Sequence, residues 1–327
     1  MDGPRTERTT DGHRLKLTGA ERAAVWALAV ELTGTTPGLI DDLDWVARAR
    51  RLSSGLPERL RQAIREFRHD PGDQGALIIS NLPVAGYELP NTPDMPQSVE
   101  RIVSPPAATV MLAGLQLGEV VAYREEKHGA LVQNIVPVPG LETSQSNAGA
   151  VPLEFHIENA FHPFRPDYVG LLCLRSDHLK QAGTTVASMR HALSRISDDD
   201  LAVLREPRFA TSSPPSFQTD LRSGPHPLID GAAEDPNLLV DFNATVALDD
   251  EAGAVLKRLR AVLDDVTTAV VLQPGDMVFV DNRTAVHGRT HFTPRYDGKD
   301  RWLLRVHIHL DNRRSRVRRP GNGPVMI

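Results

Sequence analysis

The chain has 327 residues, of which 40% are hydrophobic and 24% charged, and a formal net charge of −5. This is the composition of an ordinary globule able to bury a sizeable core, and the net negative charge gives no electrostatic reason to bind nucleic acid. No apolar run approaches the roughly 20 residues that a membrane span needs, and Met1-Asp2-Gly3-Pro4-Arg5 lacks the apolar core of a signal peptide.

Residues 1–16 are polar and unpatterned, and are expected to be disordered. Thr18 and Glu21 form a capping box opening a helix that carries Trp26, Leu28, Val30 and Leu32 before Gly34 stops it. A second helical stretch is expected from Asp41 to Leu52. A third starts at Pro57, with Leu60, Ile64 and Phe67 spaced for one apolar face. Residues 17–74 therefore read as a helical scaffold. From Gly75 the pattern changes: Ala76-Leu77-Ile78-Ile79-Ser80 is a short apolar run ending in a turn. Further strands are expected at 130–136, 153–158, 168–174, 184–188, 238–243, 276–281 and 301–310. Short strands at irregular spacing, with many Pro and Gly turns, predict a mainly β, barrel-like core with appended helices. That core spans 75–312 of a single domain covering 17–327.

The single cysteine, Cys173, lies in an apolar run and cannot form an internal disulfide, which suits a soluble protein of the cytoplasm. Residues 207–237 are rich in Pro, Ser, Gly and Asp; a segment that long without periodicity is either disordered or a functional lid, and its place between the two halves of the candidate site favours a lid. The basic cluster Arg313-Arg314-Ser315-Arg316 to Arg318-Arg319 is expected to be a solvated tail or a subunit contact.

Four residues carry chemistry: His156 and Glu158 in a His-x-Glu triplet, His287, expected at a strand end with a tight turn at Gly288 behind it, and Arg301. Two imidazoles and a carboxylate suit Fe(II), Mn(II) or Zn(II) with open positions for other ligands, and an arginine offers a planar fork to a distal carboxylate. The triplet alone is weak, since the 12 His and 42 acidic residues give about 1.5 such triplets by chance. A second one, His309-Leu310-Asp311, has no downstream histidine to complete a triad. In the first, Leu153, Phe155 and Ile157 alternate with Glu154, His156 and Glu158, so both candidate ligands leave one face of a strand. In the last strand Trp302, Leu304, Val306, Ile308 and Leu310 form an apolar face, with Arg301, Arg305, His307 and His309 on the other. That polar face either clamps carboxylates or meets solvent.

The surrounding motifs resemble the clavaminate synthase-like branch of Fe(II)/2-oxoglutarate oxygenases, whose amino-acid hydroxylases act on asparagine, arginine or lysine. The resemblance runs from about Gly75 to Arg319. It rests on Glu126-Lys127-His128-Gly129-Ala130-Leu131-Val132-Gln133, Pro137-Val138-Pro139-Gly140, His156-x-Glu158-Asn159-Ala160-Phe161-His162, Pro274-Gly275-Asp276, Val280-Asp281-Asn282, Val286-His287-Gly288-Arg289 and the run from Phe292 to Leu303. It implies a double-stranded β-helix (jelly-roll, cupin-like) core. It makes His156, Glu158 and His287 the iron ligands, with 2-oxoglutarate and O₂ as co-substrates. Arg301 would hold the 2-oxoglutarate C5 carboxylate, and Thr185 would also touch that molecule. Related halogenases replace the carboxylate ligand by a small residue; Glu158 points to hydroxylation.

For the substrate, the resemblance assigns Arg305 to the α-carboxylate, Glu126, Ser146 and Asn147 to the head or side chain, and Asp241 to reading the side chain. Arginine-specific relatives carry a second acid two residues on, where this chain has Asn243. The expected reaction is hydroxylation, at Cβ, of a free polar L-amino acid. That amino acid is asparagine-like or carries a longer N–H-bearing side chain, as citrulline, arginine and lysine do. Two alternatives stand beside it: the same chemistry on an amino acid tethered to a carrier protein, and a non-catalytic cupin-like small-molecule binding protein.

Overall fold

The computed structural model describes residues 13–84, 88–214, 217 and 220–327. The expectation of disorder at the N-terminus fails for residues 13–16. They form strand β1 (His13–Lys16), which pairs in parallel with β2 (Ala76–Ser80), His13 opposite Leu77. Four residues are too short a run to show a period, and residues 1–12 lie outside the described residues.

Helix α1 (Gly19–Thr33) opens on the expected capping box: the Glu21 N–H donates to Thr18 Oγ1 (3.2 Å) and the Thr18 N–H to Glu21 Oε2 (2.7 Å). Its buried stripe is Val25, Ala29 and Leu32, while Val30 points outward. Helix α2 (Leu43–Ser53) is capped by Asp42, and α3 (Glu58–His69) buries Leu60, Ile64 and Phe67 as their spacing predicts. All three pack on α4 (Pro105–Leu117), which is apolar on nearly every side and also touches the main sheet. A helix enclosed all round carries no amphipathic period, so the sequence pattern did not mark it.

The remaining strands are β3 (Val99–Glu100), β4 (Glu119–Tyr123), β5 (Val132–Ile135), β6 (Leu153–His156), β7 (Tyr168–Arg175), β8 (Thr184–Ser188), β9 (Phe209–Thr211), β10 (Ile229–Gly231), β11 (Pro236–Leu238), β12 (Thr245–Ala247), β13 (Thr268–Val270), β14 (Met277–Asp281), β15 (Ala285–Arg289), β16 (Trp302–His309) and β17 (Val325–Met326). Helices α5 (Met189–Ala192), α6 (Asp198–Leu204) and α7 (Asp250–Asp265) lie between them. Two sheets position the site. The larger runs β1-β2-β14-β7-β16-β4-β17, with β5 also pairing β16 and β3 pairing β5; the smaller runs β13-β8-β15-β6.

Two further expectations are corrected here. Residues 238–243 are not one strand: β11 ends at Leu238, and only a bridge between Asp241 and His156 follows. The Asp241 Oδ1 accepts the N–H groups of Asn243 (2.8 Å) and Ala244 (3.1 Å), turning the chain away. Residues 207–237 are not structureless either, since they contain β9 and the hairpin β10–β11. Phe217 in this segment is buried against Phe161 (4.9 Å between centroids) and Tyr123 (5.8 Å). Among the described residues no helix is long and apolar enough to cross a membrane.

Candidate active site

His156 ends β6 and His287 sits in the middle of β15, the two directly opposed in the antiparallel register. Their rings lie 4.4 Å apart between centroids. The expectation that His287 stands at a strand end is therefore corrected. Gly288 makes the pairing possible: a Cβ there would lie 2.5 Å from the Leu153 carbonyl oxygen of the neighbouring strand.

Glu158 follows β6 by two residues, and Asn282 fixes its backbone. The Glu158 N–H donates to Asn282 Oδ1 (2.7 Å), and Asn282 Nδ2 donates back to the Glu158 carbonyl (3.1 Å) and to that of Pro166 (2.9 Å). The Glu158 carboxylate is divided between two tasks. Oε2 lies 3.3 Å from Nε2 of both His156 and His287. Oε1 takes hydrogen bonds from Arg305 and from His307 Nε2 (3.2 Å). One oxygen is thus reserved for a shared point with the two imidazoles.

The imidazoles are in the state a metal needs. His156 Nδ1 donates to the Glu154 carbonyl (2.9 Å), which leaves its Nε2 lone pair toward Glu158. Burial pushes the pKa of His156 down, with the Asp241 carboxylate opposing it. Burial likewise pushes His287 well down, helped by the charges His156 and His307 would carry. Both are neutral near pH 7, and one donor atom from each of the three side chains lies within 4.8 Å of the others. Two neutral imidazoles and a carboxylate fit Fe(II).

Opposite this wall, β16 supplies the cations. Arg301, Arg305, His307 and His309 are all buried, so the face is not a solvent face. Arg305 donates to Glu126, Glu158 and Gln133, the last at 3.0 Å from Nε. Burial would raise the pKa of Glu126, but the Arg305 guanidinium beside it outweighs this and holds the carboxyl below its ordinary value. Arg289, two residues after His287, is also buried, and burial beside Arg301 brings its pKa down to about 9.

These groups line one cavity. It brings together His156, Glu158, His287, Arg301, Glu126, Ser146, Asn147, Asp241 and Arg305. Thr185 is the exception. It pairs with Gly288 on the outer side of its strand, and Thr184, opposite Arg289, lines the cavity instead. Burial pushes Asp241 up in pKa, with His156 opposing. Sequence reading gave no role to Gln133, Asn282, Arg289 or His307, although each lies in a quoted motif or strand. The decoy His309 stays out of the cavity, its Nε2 donating to the Phe164 carbonyl (3.0 Å).

Residues 48–307 match the model of the taurine catabolism dioxygenase TauD, TfdA family. The chain belongs to this family. It is an Fe(II)- and 2-oxoglutarate-dependent dioxygenase. Over 302 residues it is 45% identical to the L-asparagine oxygenase of Streptomyces coelicolor, covering 92% of this chain and 90% of that one. The crystal structure of asparagine oxygenase in complex with Fe(II), 2S,3S-3-hydroxyasparagine and succinate is similar with a TM-score of 0.94. It is 43% identical, over 96% of this chain and 99% of that one. The non-heme iron oxygenase OrfP, in complex with Fe and alpha-ketoglutaric acid, gives 0.86 at 32% identity, over 97% and 100%.

One consequence for this TauD/TfdA dioxygenase concerns pH. His162 packs edge-on against Tyr123 (4.9 Å between centroids), and burial lowers its pKa to about 4. The unfolded chain takes up that proton near pH 6.5, so the folded state is favoured above this value. Stability then falls as pH drops toward 4, by up to about 1.4 kcal/mol per pH unit. His162→Gln should flatten the fall in urea midpoint between pH 7 and pH 5; an unchanged slope would contradict this.

Proposed function

We propose that the protein hydroxylates an unactivated carbon, Cβ in the first instance, of a free polar L-amino acid with an asparagine-like or longer N–H-bearing side chain. The observation that carries this is the charge pattern of the cavity: Glu126 and Arg305, side by side, match the ammonium and carboxylate of an amino acid, and Asp241 lies beside His156. Asp241 has one oxygen committed to its own turn, which leaves the other to accept a side-chain N–H. The asparagine oxygenase whose structure holds 2S,3S-3-hydroxyasparagine supports the reading.

In this reading His156, Glu158 and His287 bind Fe(II), and Arg301 and Thr184 receive the distal carboxylate of 2-oxoglutarate. Iron with 2-oxoglutarate supplies O₂ activation and the oxidising power. The chain itself positions and shields. Arg305 fixes the substrate α-carboxylate, Glu126 takes the α-ammonium, and Ser146, Asn147 and Asp241 orient the rest. Ser212 and Pro214 line the cavity from the 207–237 segment, which we take as the lid that excludes water. The same reading makes 17–327 one domain, the two sheets the faces of a double-stranded β-helix, and the cytoplasm the place of action.

The test is a screen of free L-amino acids with Fe(II) and 2-oxoglutarate, read as succinate release and a product one oxygen heavier. Asparagine or an amino acid with a longer N–H-bearing side chain should give both. Turnover of a carrier-bound thioester with every free amino acid inert would overturn the free-substrate reading.

A further inference from the structure

Arg289 and Arg301 are both buried, both line the cavity, and both lie over the same aromatic ring, Phe292, at 5.3 and 6.0 Å. Among the described residues neither has a carboxylate within ion-pair distance, while Arg305, on the same strand wall as Arg301, has two. Arg289 Nη2 donates to the Val151 carbonyl (3.0 Å), and its Nε is buried with no acceptor among the described residues. Register places Arg289 opposite Thr184, another cavity residue, and strand alternation gives it the same face as His287. Two guanidiniums buried side by side repel, and a buried donor without an acceptor is unfavourable. A tether to Val151 needs only one neutral N–H, so it accounts for neither the charge nor the unused Nε.

We infer that Arg289 is a second cation for the distal carboxylate of the 2-oxo acid, completing with Arg301 and Thr184 a cradle that selects a dicarboxylate. The inference rests on the 2-oxoglutarate reading above and adds a specificity residue to it. Arg289 lies on the histidine-bearing strand and Arg301 at the start of the opposite one, so the bound carboxylate would bridge the two sheets. Its hold on Val151 ties the same cradle to the loop that carries Ser146 and Asn147.

The experiment measures anaerobic binding to the Fe(II)-loaded enzyme by calorimetry, with two probes. One is 2-oxoglutarate; the other is 2-oxopentanoate, which keeps the 2-oxo acid end and replaces the distal carboxylate by a methyl group. Arg289→Gln should weaken 2-oxoglutarate by about 10- to 100-fold while leaving 2-oxopentanoate within about twofold. Arg289→Lys, which keeps the charge and loses the planar fork, should fall between and serves if the glutamine variant does not fold. Unchanged 2-oxoglutarate affinity, or equal loss for both probes, overturns the inference and leaves Arg289 as a scaffold residue. Wild-type enzyme that binds neither probe would instead sink the co-substrate reading itself.

Discussion

Replacing His156 by alanine should give a folded protein that neither retains Fe(II) nor forms product, turnover falling by more than about 100-fold. Loss of a mere outer-shell partner costs 10- to 100-fold in metal affinity, and a direct donor costs more. The fold should survive because the His156 backbone, rather than its ring, holds the pairing with β15 and the bridge to Asp241. The matching control is His309→Ala. That ring belongs to the same kind of His-x-acid triplet but among the described residues hydrogen-bonds only Phe164 and Ser315, so the variant should keep iron and turnover while losing some stability. Metal content of the purified proteins together with succinate release checks both. An active His156→Ala enzyme would refute the metal site.

Asp241→Asn should move side-chain preference away from an N–H donor such as the asparagine amide and toward a carboxylate such as that of aspartate. The asparagine Oδ1 can still accept the Asn243 and Ala244 N–H groups, so the turn is kept. Only the oxygen facing the cavity is exchanged, an acceptor becoming an NH₂ donor. A pocket built to hydrogen-bond a group discriminates strongly against an analogue that leaves it unpaired, so the ratio of kcat/KM for the two amino acids should change by about 100-fold or more. Iron content should not change. An unaltered ratio would remove Asp241 from the recognition of the side chain.

How far these residues could be read in advance depended on how local their signal was. Although β6 ends at His156 and Glu158 stands beyond the strand expected to carry both, the meeting of His156 and Glu158 was legible because they lie two residues apart. The same holds for α3, whose Leu60, Ile64 and Phe67 all turned inward. Elements without a period were missed: α4 is apolar all round, and β15 is buried on both faces, which disguised His287 as a strand end. Thr184 rather than Thr185 lines the cavity, which two adjacent threonines leave undecided until the register with β15 is known. The roles of Asn282 and Gln133 were invisible for another reason. Their partners, Glu158 and Arg305, lie 124 and 172 residues away in the chain, and no pattern in one sequence announces such a meeting.

The placement of donors on separate sheets has an evolutionary consequence. His156 and His287 ride on adjacent strands of the smaller sheet, while Arg301 and Arg305 belong to the final strand region of the larger one, with Asp241 on a peripheral loop. In the proposed reading, substitutions in the 207–237 segment, which lies outside the smaller sheet, can therefore accumulate without disturbing the histidine pair. In that reading the metal-binding end of the cavity can stay fixed while side-chain preference changes around it.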